Sequence, residues 1–263
     1  MKPLPNSMSS AKRDTQEITT GEFPSPDASV EARIPQRSCS RRGFLQKAAG
    51  GTLAGMLTAA GMECAAPNSA QAQSVLSPDA ALQELMNGNQ RFTSDHLTSF
   101  EADLRILKQN TEEKQEPFAA VLSCADSRVP VELVFDQTIG HIFVARVAGN
   151  VATSEIIASL EYGAAVLGTK VILVMGHGNC GAVKATIQAK VVPGQISALY
   201  PHIQPAVNQA GSNLDAATKA NAKIHAGLLR EASTVIAGLV KEGKLKVVAA
   251  YYDIVSGNVT LLE

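Results

Sequence analysis

Four short apolar runs mark the second part of the chain: Phe118 to Ser123, Ile142 to Val147, Val171 to Met175 and Leu245 to Tyr252. Their length, and the β-branched residues of the last three, predict strands. Helical spacing precedes and separates them. Ser77-Pro78-Asp79 offers an N-cap hydroxyl, a proline at the first helical position and an acid in the first turn. Ala81, Leu82, Leu85 and Met86 then follow at helical spacing, and Gly88 is read as the end of that helix. The polar stretch beyond Gly88 is expected to be helical only in part. Between the second and third strands, Ile157, Leu160, Ala164 and Leu167 make one apolar stripe over Ser154 to Leu167, closed by Gly168.

Strands alternating with helices imply an α/β fold, a mostly parallel β-sheet with flanking helices. After the last long strand, Ser256-Gly257-Asn258 can turn the chain, so that Val259 to Leu262 returns as a C-terminal antiparallel edge strand. The pattern contains no internal repeat and no sign of a second folded domain.

The first 72 residues read differently. Up to about residue 38 they are rich in Ser, Thr, Pro and charge without any period, and have little reason to fold. Ser40-Arg41-Arg42-Gly43-Phe44-Leu45-Gln46-Lys47 follows, and then an uncharged stretch from Ala48 to Met62. That stretch is too short and too weakly apolar for a good membrane span, but it suits the apolar region of a signal peptide. Ala70-Gln71-Ala72 supplies a small-x-small cleavage pattern. The paired arginines resemble a twin-arginine export signal, which implies delivery to the periplasm or an equivalent space. The competing reading is an ordinary helix with a basic start, which the missing polar face disfavours. Residues 1–72 are therefore expected to be a disordered start and a cleavable signal, and residues 73–263 a single folded domain.

Charge and composition narrow the function. The 263 residues are 45% hydrophobic and 18% charged, with a net charge of −1, which removes the electrostatic argument for nucleic acid or an anionic membrane surface. Four cysteines are too few for a disulfide scaffold. Cys39 and Cys64 fall in the head, leaving only Cys124 and Cys180 in the body.

Both body cysteines sit just past a strand. In an extended chain Cys124, Asp126 and Arg128 would share one face at the carboxyl end of the first strand, where open α/β sheets place ligands. His177 and Cys180 follow the third strand within Gly176-His177-Gly178-Asn179-Cys180-Gly181, and the glycines allow the chain to turn so that both reach one ion. Two thiolates and an imidazole suit zinc, with a fourth position for water or a carboxylate. Alternatives are a Cys124–Cys180 disulfide, a structural zinc site closed by Asp126, or two inert buried thiols. His96, His141, His202 and His225 lack partners at ligand spacing and are read as surface or packed residues.

At these residues the chain resembles the β-class carbonic anhydrases, marked by Cys-x-Asp-x-Arg and, some way on, His-x-x-Cys-Gly. The likeness extends over Gly88-Asn89-Gln90-Arg91-Phe92, Gln115-Glu116-Pro117-Phe118, Phe135-Asp136-Gln137, Arg146-Val147-Ala148-Gly149-Asn150, Glu161-Tyr162-Gly163 and Ala250-Tyr251-Tyr252-Asp253. The resemblance implies reversible hydration of carbon dioxide to bicarbonate and a proton by a zinc-bound hydroxide, with one Zn2+ per subunit. Residue by residue it makes Cys124, His177 and Cys180 the zinc ligands, with Asp126 a fourth ligand in a closed state. It makes Asp126 and Arg128 the catalytic pair, and Gln115, Phe143 and Tyr162 pocket residues, the glutamine contributed by a neighbouring subunit of a dimer or dimer of dimers.

Gly178 departs from the pattern, which usually has Ser or Thr after the zinc histidine. Two thiolates cancel the charge of zinc, so activity is expected to rise toward alkaline pH. Hydrolysis of carbonyl sulfide or carbon disulfide would use the same site, and a non-catalytic zinc or thiol-redox protein is the reading of another class. No Gly-x-Gly-x-x-Gly or P-loop supports dinucleotide or phosphate chemistry.

Overall fold

The computed structural model describes residues 74–99 and 115–263. The signal expected over residues 1–72, with Cys39 and Cys64, and most of the polar stretch after Ser99 lie outside the described residues.

Ser77 caps the first helix, α1 (Pro78–Thr93), by accepting a hydrogen bond from Ala80 N–H, as its sequence predicts. The helix does not stop at Gly88, however. A side chain there would place Cβ 1.8 Å from the Phe135 carbonyl oxygen, so the glycine marks a close crossing rather than an end. Strand β1 (Ala119–Ser123) leads to the site, then to a one-turn helix α2 (Val131–Val134) and strand β2 (Ile142–Arg146). A tight turn over Ala148–Asn150 precedes α3 (Ser154–Glu161), which widens into a π-helical turn over Tyr162–Val166. The predicted stripe holds across that change: Leu160, Ala164 and Leu167 are buried, and Ile157 at its start is half-buried against the same core.

Strand β3 (Val171–His177) continues two residues beyond the predicted run and delivers His177 at its end. Helices α4 (Gly181–Ile187), α5 (Tyr200–Ala210), α6 (Leu214–Ala232) and α7 (Thr234–Lys241) follow, before β4 (Lys246–Tyr252) and β5 (Val259–Leu262). The sheet order is β2-β1-β3-β4-β5, with every pair parallel except β4 and β5. The mostly parallel sheet with an antiparallel C-terminal edge is thus observed.

Alternation along the central strands makes the core two-sided. Val121, Leu173 and Met175 pack with Leu85, Val131 and Phe135 on one face, while Leu122, Ile172 and Val174 pack with Leu160, Leu229 and Ile236 on the other. Every residue of β1 and β3 is buried, so these two strands form a rigid floor whose carboxyl ends carry the candidate chemistry.

Candidate metal centre

Ser123 ends β1 level with Met175 of β3, so Cys124 and His177 emerge at the same edge of the sheet. Cys124 Sγ, His177 and Cys180 Sγ bring their ligand atoms within 4.8 Å of one another, and all three residues are buried. Both cysteines are free thiols, which sets aside the disulfide alternative.

The histidine is held ready to donate a lone pair. Its Nδ1 lies 3.0 Å from the Gly178 carbonyl oxygen. A carbonyl can only accept, so Nδ1 carries the proton and Nε2 does not. Nε2 is buried and has no hydrogen-bond partner among the described residues, an arrangement that costs free energy unless an ion completes it. Two soft sulfurs and one imidazole, buried together, fit zinc. Without metal the two thiols share protons unequally. The Cys180 thiol donates to Cys124 and, together with the Gly149 N–H, brings the Cys124 thiol well below its ordinary range. Hydrogen bonding to Cys124 and burial hold Cys180 far above it.

Asp126 stands beside this group. The chain is not extended through Arg128, as the alternation argument supposed; it turns, and Arg128 N–H donates to Asp126 Oδ1 at 3.0 Å. The guanidinium then grips the carboxylate at both oxygens, Nε to Oδ1 at 2.9 Å and Nη2 to Oδ2 at 2.8 Å. This fork holds the Asp126 carboxyl well below the usual carboxylate range. Oδ2 remains 3.9 Å from His177 Nε2.

The turn between His177 and Cys180 is made by Asn179, whose φ is 52°, rather than by the neighbouring glycines. Its carbonyl oxygen accepts from Arg128 Nη2 at 3.3 Å, tying the two motifs together. Gly178 answers a different need. A Cβ there would lie 3.1 Å from the Tyr251 hydroxyl oxygen, and that hydroxyl donates to Asp215 at 3.0 Å. The hydroxyl expected on residue 178 is thus replaced in space by one arriving from β4.

Three groups escaped the sequence reading. Arg146 donates to the carbonyls of Cys124 at 2.9 Å and Asp126 at 2.6 Å, and so fixes the loop that carries both. Gly149 N–H donates to Cys124 Sγ at 3.3 Å, and Asn221 Nδ2 donates to the Gly149 carbonyl at 2.8 Å. Residues 146–150 stood out only as a matching run, and no spacing rule links Asn221 to them.

The expected pocket residues lie on three separate segments. Gln115 is exposed just before β1, Phe143 sits level with Ala120 toward the amino end of the sheet, and Tyr162 is 46% exposed. The Phe143 and Tyr162 rings are neighbours, with centroids 6.4 Å apart. His225 is packed in the interior and held neutral by burial at about 4, whereas His96, His141 and His202 are exposed.

Comparison with known proteins then decides the family. The sequence profile described as carbonic anhydrase matches residues 119–259, which span both motifs and the four parallel strands β1 to β4. The chain belongs to the carbonic anhydrase family. A carbonic anhydrase of Mycolicibacterium smegmatis is 33% identical over 192 residues, covering 70% of this chain and 93% of that protein. The fold matches a β-carbonic anhydrase of Aspergillus fumigatus with a TM-score of 0.57 at 21% identity, covering 62% and 85% of the two chains. It also matches tetrameric β-carbonic anhydrases of Sordaria macrospora, with a TM-score of 0.56 at 19% identity and coverage of 69% and 96%. The architecture is therefore that of the β-class.

Proposed function

We infer that this carbonic anhydrase interconverts carbon dioxide and bicarbonate, and that Asp126 and Arg128 are its catalytic pair. The carrying observation is the buried Cys124, His177 and Cys180 group with an arginine-held carboxylate beside it, close enough to act and restrained from ligating. Zinc held by those three residues would supply the Lewis acidity that makes water nucleophilic.

The protein's own part is orientation and charge. Asp126 Oδ2, ionised by its pairing with Arg128, can accept a hydrogen bond from the attacking water and aim its lone pair at the carbon of the substrate. Arg128 prevents the same carboxylate from closing the site. Arg146 holds the backbone on both sides of Ala125, so Cys124 and Asp126 keep a fixed separation. Apolar packing by Val151, Val183 and Ile203 around the two sulfurs excludes water from the ligands.

Stopped-flow hydration of carbon dioxide by zinc-loaded protein tests the reading. Turnover that disappears in Cys180→Ser together with the zinc is the expected result, and a zinc-replete protein without turnover overturns it. Carbonyl sulfide and carbon disulfide can be offered to the same sample.

Assembly and export belong to the same proposal. β2 is an edge strand, and Tyr162 and Val166 beside it are 46% and 40% exposed. A second copy against that edge would cover them and bring its own Gln115, Phe143 and Tyr162 toward the open side of the metal group. Residues 41–42 direct export of the folded, metal-loaded chain to the periplasm, with removal of residues 1–72. Among the described residues no helix is long and apolar enough to cross a membrane. N-terminal sequencing of the exported protein checks this, and a mature start far from residue 73 would count against it.

A further inference from the structure

The wall behind Cys124 holds a chain of polar contacts that zinc ligation does not require. Cys124 Sγ accepts from Gly149 N–H at 3.3 Å. Gly149 and Asn150 lie in the tight turn between β2 and α3, with φ of 75° and 45°. Left-handed backbone at a non-glycine residue costs on the order of 1 kcal/mol, so such a turn persists only when its surroundings impose it.

Helix α6 supplies that constraint. Asn221 is fully buried, and its Nδ2 donates to the Gly149 carbonyl at 2.8 Å. One helical turn later, His225 Nδ1 accepts from Ala152 N–H at 3.1 Å. Four-residue spacing places both side chains on one face of α6, Asn221 on the turn and His225 on the backbone two residues past it. From α5, Ile203 closes the remaining space: a Cβ at residue 149 would lie 2.8 Å from its Cδ1. Gly149 is thus pinned at both ends, its N–H on the sulfur and its carbonyl on Asn221.

We propose that Asn221 is a positioning residue for the metal centre: by fixing Gly149 it keeps an amide hydrogen bond on the Cys124 thiolate and so limits how strongly that sulfur donates to the metal. The proposal rests on the zinc reading above. A thiolate that accepts a hydrogen bond gives less electron density to its metal, and one that loses the bond gives more and weakens the Lewis acid. Substitution of such supporting groups lowers metal affinity or activity by roughly 10-fold to 100-fold.

Asn221→Leu removes the donor at nearly constant volume, and Leu229→Val loosens the packing of the same helix two turns on without touching a hydrogen bond. With cobalt(II) in place of zinc, the near-ultraviolet thiolate-to-metal charge-transfer band should move to longer wavelength in Asn221→Leu and stay in place in Leu229→Val. With zinc, kcat of Asn221→Leu should fall about tenfold at little-changed KM. A band at the wild-type position in Asn221→Leu overturns the proposal, and so does an equal shift in Leu229→Val. Asn221→Ala carries the same comparison if the leucine variant does not fold. Loss of carbon dioxide turnover in wild-type protein would remove the functional reading, while the band would still judge this one.

Discussion

Arg128 decides what Asp126 can do. Its fork on both carboxylate oxygens keeps the acid ionised and, in the proposed mechanism, would keep it off a bound metal. Arg128→Ala should therefore leave the zinc content near one per chain and reduce turnover by about 100-fold, the scale of losing one oriented polar group at a reaction centre. Metal analysis beside stopped-flow kinetics checks this, and loss of zinc with the activity would count against it. Gly178 is set by a neighbour on another strand, the Tyr251 hydroxyl. Gly178→Ala should cost about 1 kcal/mol of stability in denaturant titration, and less in a Tyr251→Phe background, because the two positions share one space. The Cys124, Asp126 and Arg128 spacing and the His177 and Cys180 spacing were legible because ligands close in sequence lie close in space. Arg146, Tyr251 and Asn221 were not, since each reaches the site from a different element.

Elements were legible where a local rule governs them. Ser77-Pro78-Asp79 starts α1 by capping chemistry that needs no partner, and the apolar runs became strands within one or two residues. The exception is Gly88, where a local rule suggested a stop and packing against Phe135 overruled it. Gly88→Ala should destabilise the protein by about 3 kcal/mol through a backbone clash, visible as a lower denaturation midpoint. Residues after α1 are tied down by Asp136, which accepts from Arg91 at 2.6 Å and from the backbone N–H groups of Thr98 and Ser99. Burial alone would raise the Asp136 carboxyl, but these donors together hold it well below the carboxylate range. Its folded value lies under the unfolded value of about 3.9, so its contribution is present at neutral pH and is lost as pH falls through the folded value. Asp136→Asn should be less stable than the parent by about 2 kcal/mol at pH 7, with the gap narrowing below about pH 4.

For the whole molecule, metal and fold are linked. The buried, unpartnered His177 Nε2 and the paired thiols favour an ion in the folded state that the unfolded chain cannot hold as well. Stripping zinc with a chelator should lower Tm by about 10 °C, the equivalent of roughly 4 kcal/mol for a domain of this size. On the proposed pairing of copies through the β2 edge, Tyr162→Glu should give smaller species in light scattering than the parent chain. By itself the sequence determined the alternation of strands and helices, the parallel sheet and the two ligand motifs, because periodicity, capping and short-range spacing act between residues near in the chain. Only the tertiary structure decided which residues tune those motifs. The grip of Arg146 on two carbonyls, the Tyr251 hydroxyl over Gly178 and the Asn221 support behind Cys124 depend on how separate elements cross, and that is fixed by packing of the whole core.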